Sequence, residues 1–215
     1  MKVGVLGSGE VGRVLASGFV SRGHDVMIGS RTPDSEPLKE WKQSAGPRAS
    51  TGTFREAAKH GEVVVVSVLG SGADQALDLA GPSNLDGKLV IDTTNALDFS
   101  KGMPPGLFTT ATESLSERIQ RKLPKARVVK CFNIVPNSMM VDPKVPGGPP
   151  DMIICGNDPK AKQETIALLK SFGWAGAIDI GNLDGARWLE ALVPLWVRVA
   201  GALGSYNVAF KVVKA

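Results

Sequence analysis

The stretch KVGVLGSGEVGRVLASGFVSRGHDVMIGSR, residues 2–31, decides how the rest of the chain is read. Lys2–Leu6 predicts a first strand, residues 11–22 a helix stopped by Gly23, and Asp25–Gly29 a second strand. Between the first strand and the helix, Gly7-Ser8-Gly9-Glu10-Val11-Gly12 matches G-x-G-x-x-G. Gly7 permits the tight turn, Gly9 lets a pyrophosphate approach the backbone, and Gly12 allows helix and strand to pack closely. The helix start then presents free N–H groups and a positive dipole end to phosphate. A ligand-free glycine turn is the competing reading, but a strand before and a helix after favour dinucleotide binding.

Outward from this unit, short apolar runs alternate with helical patterns. Strands are expected near residues 49–51, 63–68, 88–92, 126–132, 151–155 and 177–180. Helices are expected over 38–45, 54–59, 73–80, 112–123, 159–172 and 185–204, and residues 141–150, rich in Pro and Gly, form a loop. The run at 63–68 has the β-branched composition of a central strand buried on both faces. The pattern predicts an α/β fold, a Rossmann-type doubly wound and mostly parallel sheet, extended by a C-terminal strand-helix-strand-helix segment. One dinucleotide-binding domain over 1–215 is expected, with its core at 1–135 and the extension 136–215 continuing the same sheet.

Composition narrows the function classes. The chain has 215 residues, 43% hydrophobic and 21% charged, enough for a sizeable core without disulfides or a structural metal. A net charge of +4 is only mildly basic. The local cluster Arg118, Arg121, Lys122, Lys125, Arg127 and Lys130 reads as a solvated face, and with no interleaved aromatics it offers no base-stacking platform for nucleic acid. Cys131 and Cys155 sit in apolar runs with no zinc-ligand spacing, so no metal site is expected and reduced thiols fit a cytoplasmic protein. No signal peptide is expected at the start, and Glu190, Pro194 and Arg198 interrupt the apolar stretch 189–203, so no membrane span is expected either.

The end of the second strand selects the nucleotide. An NAD site usually places an acid there for the ribose 2′-hydroxyl. Here Ser30-Arg31-Thr32 follows instead, one planar guanidinium and two hydroxyls suited to a 2′-phosphate, so NADP is preferred. At the carboxyl ends of the strands, where ligands bind, stand Val68, Leu69, Gly70 and Ser71, then Thr93, Thr94 and Asn95, then Phe132, Asn133 and Pro136. His24 and His60 belong to the opposite edge, and no catalytic acid or base is identified. Asp92 is read as a cap of the strand-to-loop turn, and Lys130 as pointing off the sheet. In the last helix Trp188, Leu189, Leu192, Leu195, Trp196 and Val199 recur at spacings of mainly three and four. Burial against the sheet is favoured for them, ahead of a cofactor wall or a dimer interface.

Together with residues 7–31, VVKCFNIVP at 128–136 and IDIGNLDGARWLEALVPLWV at 178–197 carry a family likeness. The chain resembles the NADP oxidoreductases dependent on coenzyme F-420 (F420), a deazaflavin, and is similar to the reductase domain of the STEAP metalloreductases. The resemblance implies that Ser8, Gly9, Glu10 and Val11 hold the pyrophosphate and Ser30 and Arg31 the 2′-phosphate. It places Val68, Leu69, Asn95 and Asn133 toward the nicotinamide, and it implies hydride transfer between NADPH and deazaflavin within a homodimer.

The neutral lining suits hydride exchange with a second flat-ring cofactor, F420 or a flavin. Two alternatives stay open: a non-catalytic NADPH-binding, redox-sensing module, and a reductase of a small imine or carbonyl.

Overall fold

The computed structural model describes residues 1–213. Its first half alternates strand and helix: β1 (Lys2–Leu6), α1 (Glu10–Ser21), β2 (Asp25–Gly29), α2 (Glu36–Ala45), β3 (Ala49–Gly52), α3 (Phe54–His60), β4 (Val63–Val66), α4 (Ala73–Ala80) and β5 (Leu89–Asp92). A two-stranded hairpin, β6 (Leu97–Asp98) with β7 (Gly106–Leu107), precedes α5 (Leu115–Lys122) and β8 (Arg127–Lys130). The chain finishes with β9 (Ile153–Gly156), α6 (Pro159–Ser171), β10 (Ile178–Asp179) and α7 (Ala186–Ala202).

Eight strands form one sheet in the order β10-β9-β8-β5-β4-β1-β2-β3. The strand order reverses between β4 and β1, the switch point beyond which an α/β sheet opens a ligand crevice. The four valines of β4 are all buried, because β1 and β5 flank the strand and helices cover both faces. Each such burial stabilises the fold by roughly 1.5–3 kcal/mol relative to an exposed side chain. Two helix starts are fixed by reciprocal caps. Thr53 accepts from the Glu56 N–H while Glu56 accepts from the Thr53 N–H, and Ser114 and Glu117 do the same for α5. The Ser114 cap explains why this helix begins at Leu115 rather than at residue 112.

All neighbouring strands of the large sheet are parallel except β8 and β9. No crossover helix joins that pair. Residues 131–152 hold no α-helix that would return the chain for a parallel strand, and β9 runs antiparallel beside β8. The β6–β7 hairpin was not expected from the sequence.

Lys130 overturns its sequence reading. It is fully buried, with Nζ 3.1 Å from Asp92 Oδ2 and 3.1 Å from Glu190 Oε1. A lysine at the last position of a central strand has sheet neighbours on both sides, and its side chain stays inside because two carboxylates meet it there. The other cations of its cluster are paired too: Arg118 and Arg121 with Glu113, Lys122 with Asp78, Lys125 with Asp86, and Arg127 with Glu164.

The last helix also departs from expectation. Its inward face is Leu189, Glu190, Val193 and Ala200, while Trp188 and Leu195 are 68% and 50% exposed. Beyond it the chain folds back. Trp196 Nε1 donates to the Val208 carbonyl, and the Val212 N–H donates to Asp151.

Candidate functional site: a dinucleotide cleft at the switch point

A cleft of about 740 Å³ opens at the carboxyl edge over β1 and β4. Gly7, Ser8, Gly9, Glu10, Val11, Ser30, Arg31, Thr32, Val68, Leu69 and Asn95 line it, so eleven of the thirteen expected residues stand together. The other two, Gly12 and Asn133, lie just behind the wall. Gly70, Ser71, Thr93 and Thr94, expected at the strand ends, line it as well, whereas Phe54, Ser67, Gln75, Leu97 and Phe99 are among the lining residues that were missed. Only the position of Phe54, directly after the third strand, hinted at a cleft edge.

The glycine loop is shaped as its sequence required. Gly7 has φ 131°, a backbone region that L side chains avoid, and a Cβ on Gly12 would sit 2.1 Å from the Gly7 carbonyl oxygen. Around Gly9 no heavy atom lies within 4 Å of where a Cβ would be, so this is the open side, and it faces the start of α1. The first N–H groups of that helix have no intrahelical partner. Arg13 donates to the Ser8 carbonyl at 2.8 Å and steadies the loop from within the helix. Glu10 is drawn aside by Asn137 Nδ2, 2.9 Å away.

At the other end of the loop, Ser30 is buried. Its hydroxyl lies 3.2 Å from that of Ser8 and accepts the Thr32 N–H at 3.1 Å. Ser30 therefore ties the glycine loop to the end of β2, while the exposed Arg31 and Thr32 face outward. Arg31 makes no ion pair among the described residues. An uncommitted guanidinium beside a phosphate cradle fits an additional phosphate group.

The far end of the cleft is built from β4, β5 and the hairpin. Val68, Leu69, Leu97 and Phe99 supply apolar surface, and Thr93, Thr94 and Asn95 supply neutral polar groups. Glu10 and Arg31, both at the phosphate end, are the charged side chains among the lining residues. At Phe132 (φ 67°) the chain turns out of β8, which brings Asn133 against Asn95. The two exchange hydrogen bonds: Asn133 Nδ2 donates to Asn95 Oδ1 at 3.0 Å, and Asn95 Nδ2 to the Asn133 carbonyl at 3.1 Å. Asn133 Nδ2 also reaches the Leu189 carbonyl on α7, and its Oδ1 is buried without a partner among the described residues.

Groups able to act as strong nucleophiles lie elsewhere. Burial pushes both thiols up, Cys155 to about 12, so neither is a thiolate near neutrality. His24 faces the amino terminus, and His60 meets the Asp25 carbonyl, both at the opposite edge. No cluster of His, Cys, Asp and Glu able to hold a metal ion occurs among the described residues, and no helix among them is long and apolar enough to cross a membrane.

A glycine-loop cradle over a switch point, followed by a free arginine in place of the NAD-type acid, defines an NADP-type Rossmann oxidoreductase. Comparison with known proteins narrows the class. Residues 2–96 match the family model described as NADP oxidoreductase, coenzyme F420-dependent. The F420-dependent NADP reductase of Methanocaldococcus jannaschii is 30% identical over 92% of this chain and 91% of its own. The crystal structure of a candidate F420-dependent NADP-reductase from Arthrobacter sp. FB24 is 42% identical, with TM-score 0.95 over the whole of both chains. The metalloreductase STEAP3 of Rattus norvegicus is 30% identical over 91% of this chain, which spans only 38% of that relative. The chain belongs to the family of coenzyme F420-dependent NADP oxidoreductases and is an NADP-dependent oxidoreductase. A reductive aminase from Aspergillus terreus, 19% identical with TM-score 0.64, shares the fold alone.

Proposed function

We propose that this enzyme transfers a hydride between NADPH and a second flat-ring cofactor, deazaflavin F420 or a flavin. The observation that carries the reading is the lining of the cleft's far end, which is apolar or neutral throughout and has no side chain that readily gives up a proton. Reduction of an imine or carbonyl requires a proton at the substrate heteroatom as well as a hydride. A deazaflavin or flavin also takes up one proton with the hydride, but the anion left by hydride addition is delocalised over the ring and can take that proton from solvent. The protein is therefore asked mainly to orient the two cofactors. The exposed Leu69 and Phe99 at the mouth would cover the faces of such a ring.

When bound, NADPH supplies the hydride. The chain's part begins with the open backbone at Gly9 and the start of α1, which would take the pyrophosphate. Arg31 and Thr32 would meet the 2′-phosphate, with Ser30 holding their turn. Val68, Leu69 and Asn95 would flank the nicotinamide, and Asn133 would hold Asn95. The reading takes the chain as one cytoplasmic domain, residues 1–215, with the C-terminal extension on the same sheet. A homodimer is part of it, supported by the exposed apolar face of α7.

Titration of the purified protein with NADPH and NADH, with and without F420 or FMN, tests the proposal. Transfer from NADPH to either ring is expected without a third component. Tight NADPH binding with no transfer to either would favour the non-catalytic module, and transfer to a simple imine instead would overturn the flat-ring reading.

A further inference from the structure

Directly beneath the far end of the cleft lies a fully buried charged cluster of Lys130, Asp92 and Glu190. Asp92 ends β5, Lys130 ends β8, and Glu190 comes from α7. One ammonium faces two carboxylates, and the excess negative charge is met by donors. Glu190 accepts the Leu115 N–H at 2.9 Å and the Ser116 N–H at 3.2 Å, both in the first turn of α5, where the helix dipole favours an anion. The Ser116 hydroxyl donates to Asp92 Oδ2. Burial alone would push the Lys130 ammonium down; the charges of Asp92 and Glu190 outweigh it and hold the pKa above its usual value.

The same cluster holds every polar group of Thr94 except its access to the cleft. The Thr94 N–H and hydroxyl both donate to Asp92 Oδ1, at 2.9 and 2.7 Å, and the Thr94 carbonyl accepts from Lys130 Nζ. Asn95 follows at once, and the opposite wall rests on it: a Cβ on Gly70 would lie 2.1 Å from the Asn95 carbonyl oxygen and 2.9 Å from Leu115. A shift of Thr94 or of the start of α5 therefore moves both walls. Buried ion clusters contribute little net stability compared with well-packed apolar groups, because desolvation offsets the attraction. What this one does fix is geometry.

We infer that Glu190, Lys130 and Asp92 are positioning residues for the nicotinamide end of the cleft, setting Thr94 and Asn95 so that the C-terminal helix governs where the reacting ring rests. This rests on the NADPH reading above. Neither Glu190 nor Lys130 lines the cleft, so their influence passes through Thr94 and Asn95.

The test compares two ligands by calorimetry. Adenosine 2′,5′-bisphosphate occupies only the adenosine end, whereas NADPH spans the whole cleft. In Glu190→Gln, one amide nitrogen must confront a donor, either Leu115 N–H or the pair Ser116 N–H and Lys130 Nζ. NADPH affinity is expected to fall about tenfold, the scale of one disrupted buried polar contact, with the bisphosphate unchanged. The emission of bound NADPH, which reports the nicotinamide surroundings, should shift as well. Ser116→Ala is the gentler companion should the first variant fold poorly, with an expected NADPH loss of about threefold. A lowered melting temperature with both affinities unchanged, or with both falling equally, would overturn the positioning role. Wild-type protein that binds neither ligand would instead overturn the cofactor reading on which it rests.

Discussion

Arg13 reaches back one helical turn to donate to the carbonyl of Ser8, 2.8 Å away, so α1 braces the loop that leads into it. Arg13→Met removes a charge-assisted hydrogen bond, the kind worth about 1.5–3 kcal/mol. It should weaken NADPH and NADH alike, by about tenfold, since both carry the pyrophosphate. Calorimetric titration of the two nucleotides checks this, and unchanged affinity for both would show that the loop needs no brace.

Arg31 should behave differently. Its guanidinium is free to meet a 2′-phosphate and has nothing comparable to meet in NADH. Arg31→Ala is expected to lower NADPH affinity by roughly tenfold to a hundredfold and leave NADH almost unchanged. Equal losses for both nucleotides would sink the assignment of the 2′-phosphate to this residue.

Two glycines of one motif should separate stability from binding. Gly12→Ala forces a methyl to within 2.1 Å of the Gly7 carbonyl oxygen, so the helix must move away from the strand, at a cost of about 1–3 kcal/mol. Gly9→Ala meets nothing within 4 Å and should melt like the parent protein, yet its methyl would stand where the pyrophosphate is expected. Thermal melts alongside NADPH titration distinguish them: the first variant should lose stability, the second affinity.

The ion pair between Arg187 and Glu117 should give the fold an acid-sensitive component. Hydrogen bonds from Arg187, which outweigh the effect of burial, lower the Glu117 carboxyl from 4.5 to about 2. A depressed carboxylate pKa contributes stability that is complete above 4.5 and is lost as pH falls toward 2. With both side chains partly solvated, the contribution is about 1–2 kcal/mol. Glu117→Gln should lower the melting temperature near neutral pH and converge with the parent near pH 2. A constant gap across that window would mean the charge is not responsible.

The apolar outer face of α7 carries the dimer proposal. Trp188→Asp with Leu195→Asp should yield a monomer by sedimentation, without unfolding, because both side chains project from the surface. A parent protein that is itself monomeric would remove this part of the proposal.

Legibility in the sequence followed locality. The glycine loop, the β4 valines and the Ser30-Arg31-Thr32 turn depend on neighbours within a few residues, and their roles in the fold could be read directly. Lys130 could not be placed, because its partners lie 38 and 60 residues away in the chain. A charged residue at a strand end looks the same in sequence whether it points to water or to a buried carboxylate. Glu190 likewise read as an interruption of an apolar run, when it is the inward, hydrogen-bonded member of its helix. The hairpin strands, two residues each, are too short for any periodicity to mark. The stripe of Trp188 and Leu195 has helical spacing but belongs to the outer face, since the inner one is set by Leu189, Val193 and Ala200.

The antiparallel entry of β9 and the return of α7 to Lys130 have a consequence for synthesis. A ribosome exposes the glycine loop before β8 and β8 well before α7, so a nascent chain carries Asp92 and Lys130 with no Glu190 to complete their enclosure. The nucleotide cradle can therefore assemble before the floor under the reacting ring, which is finished only when α7 has emerged.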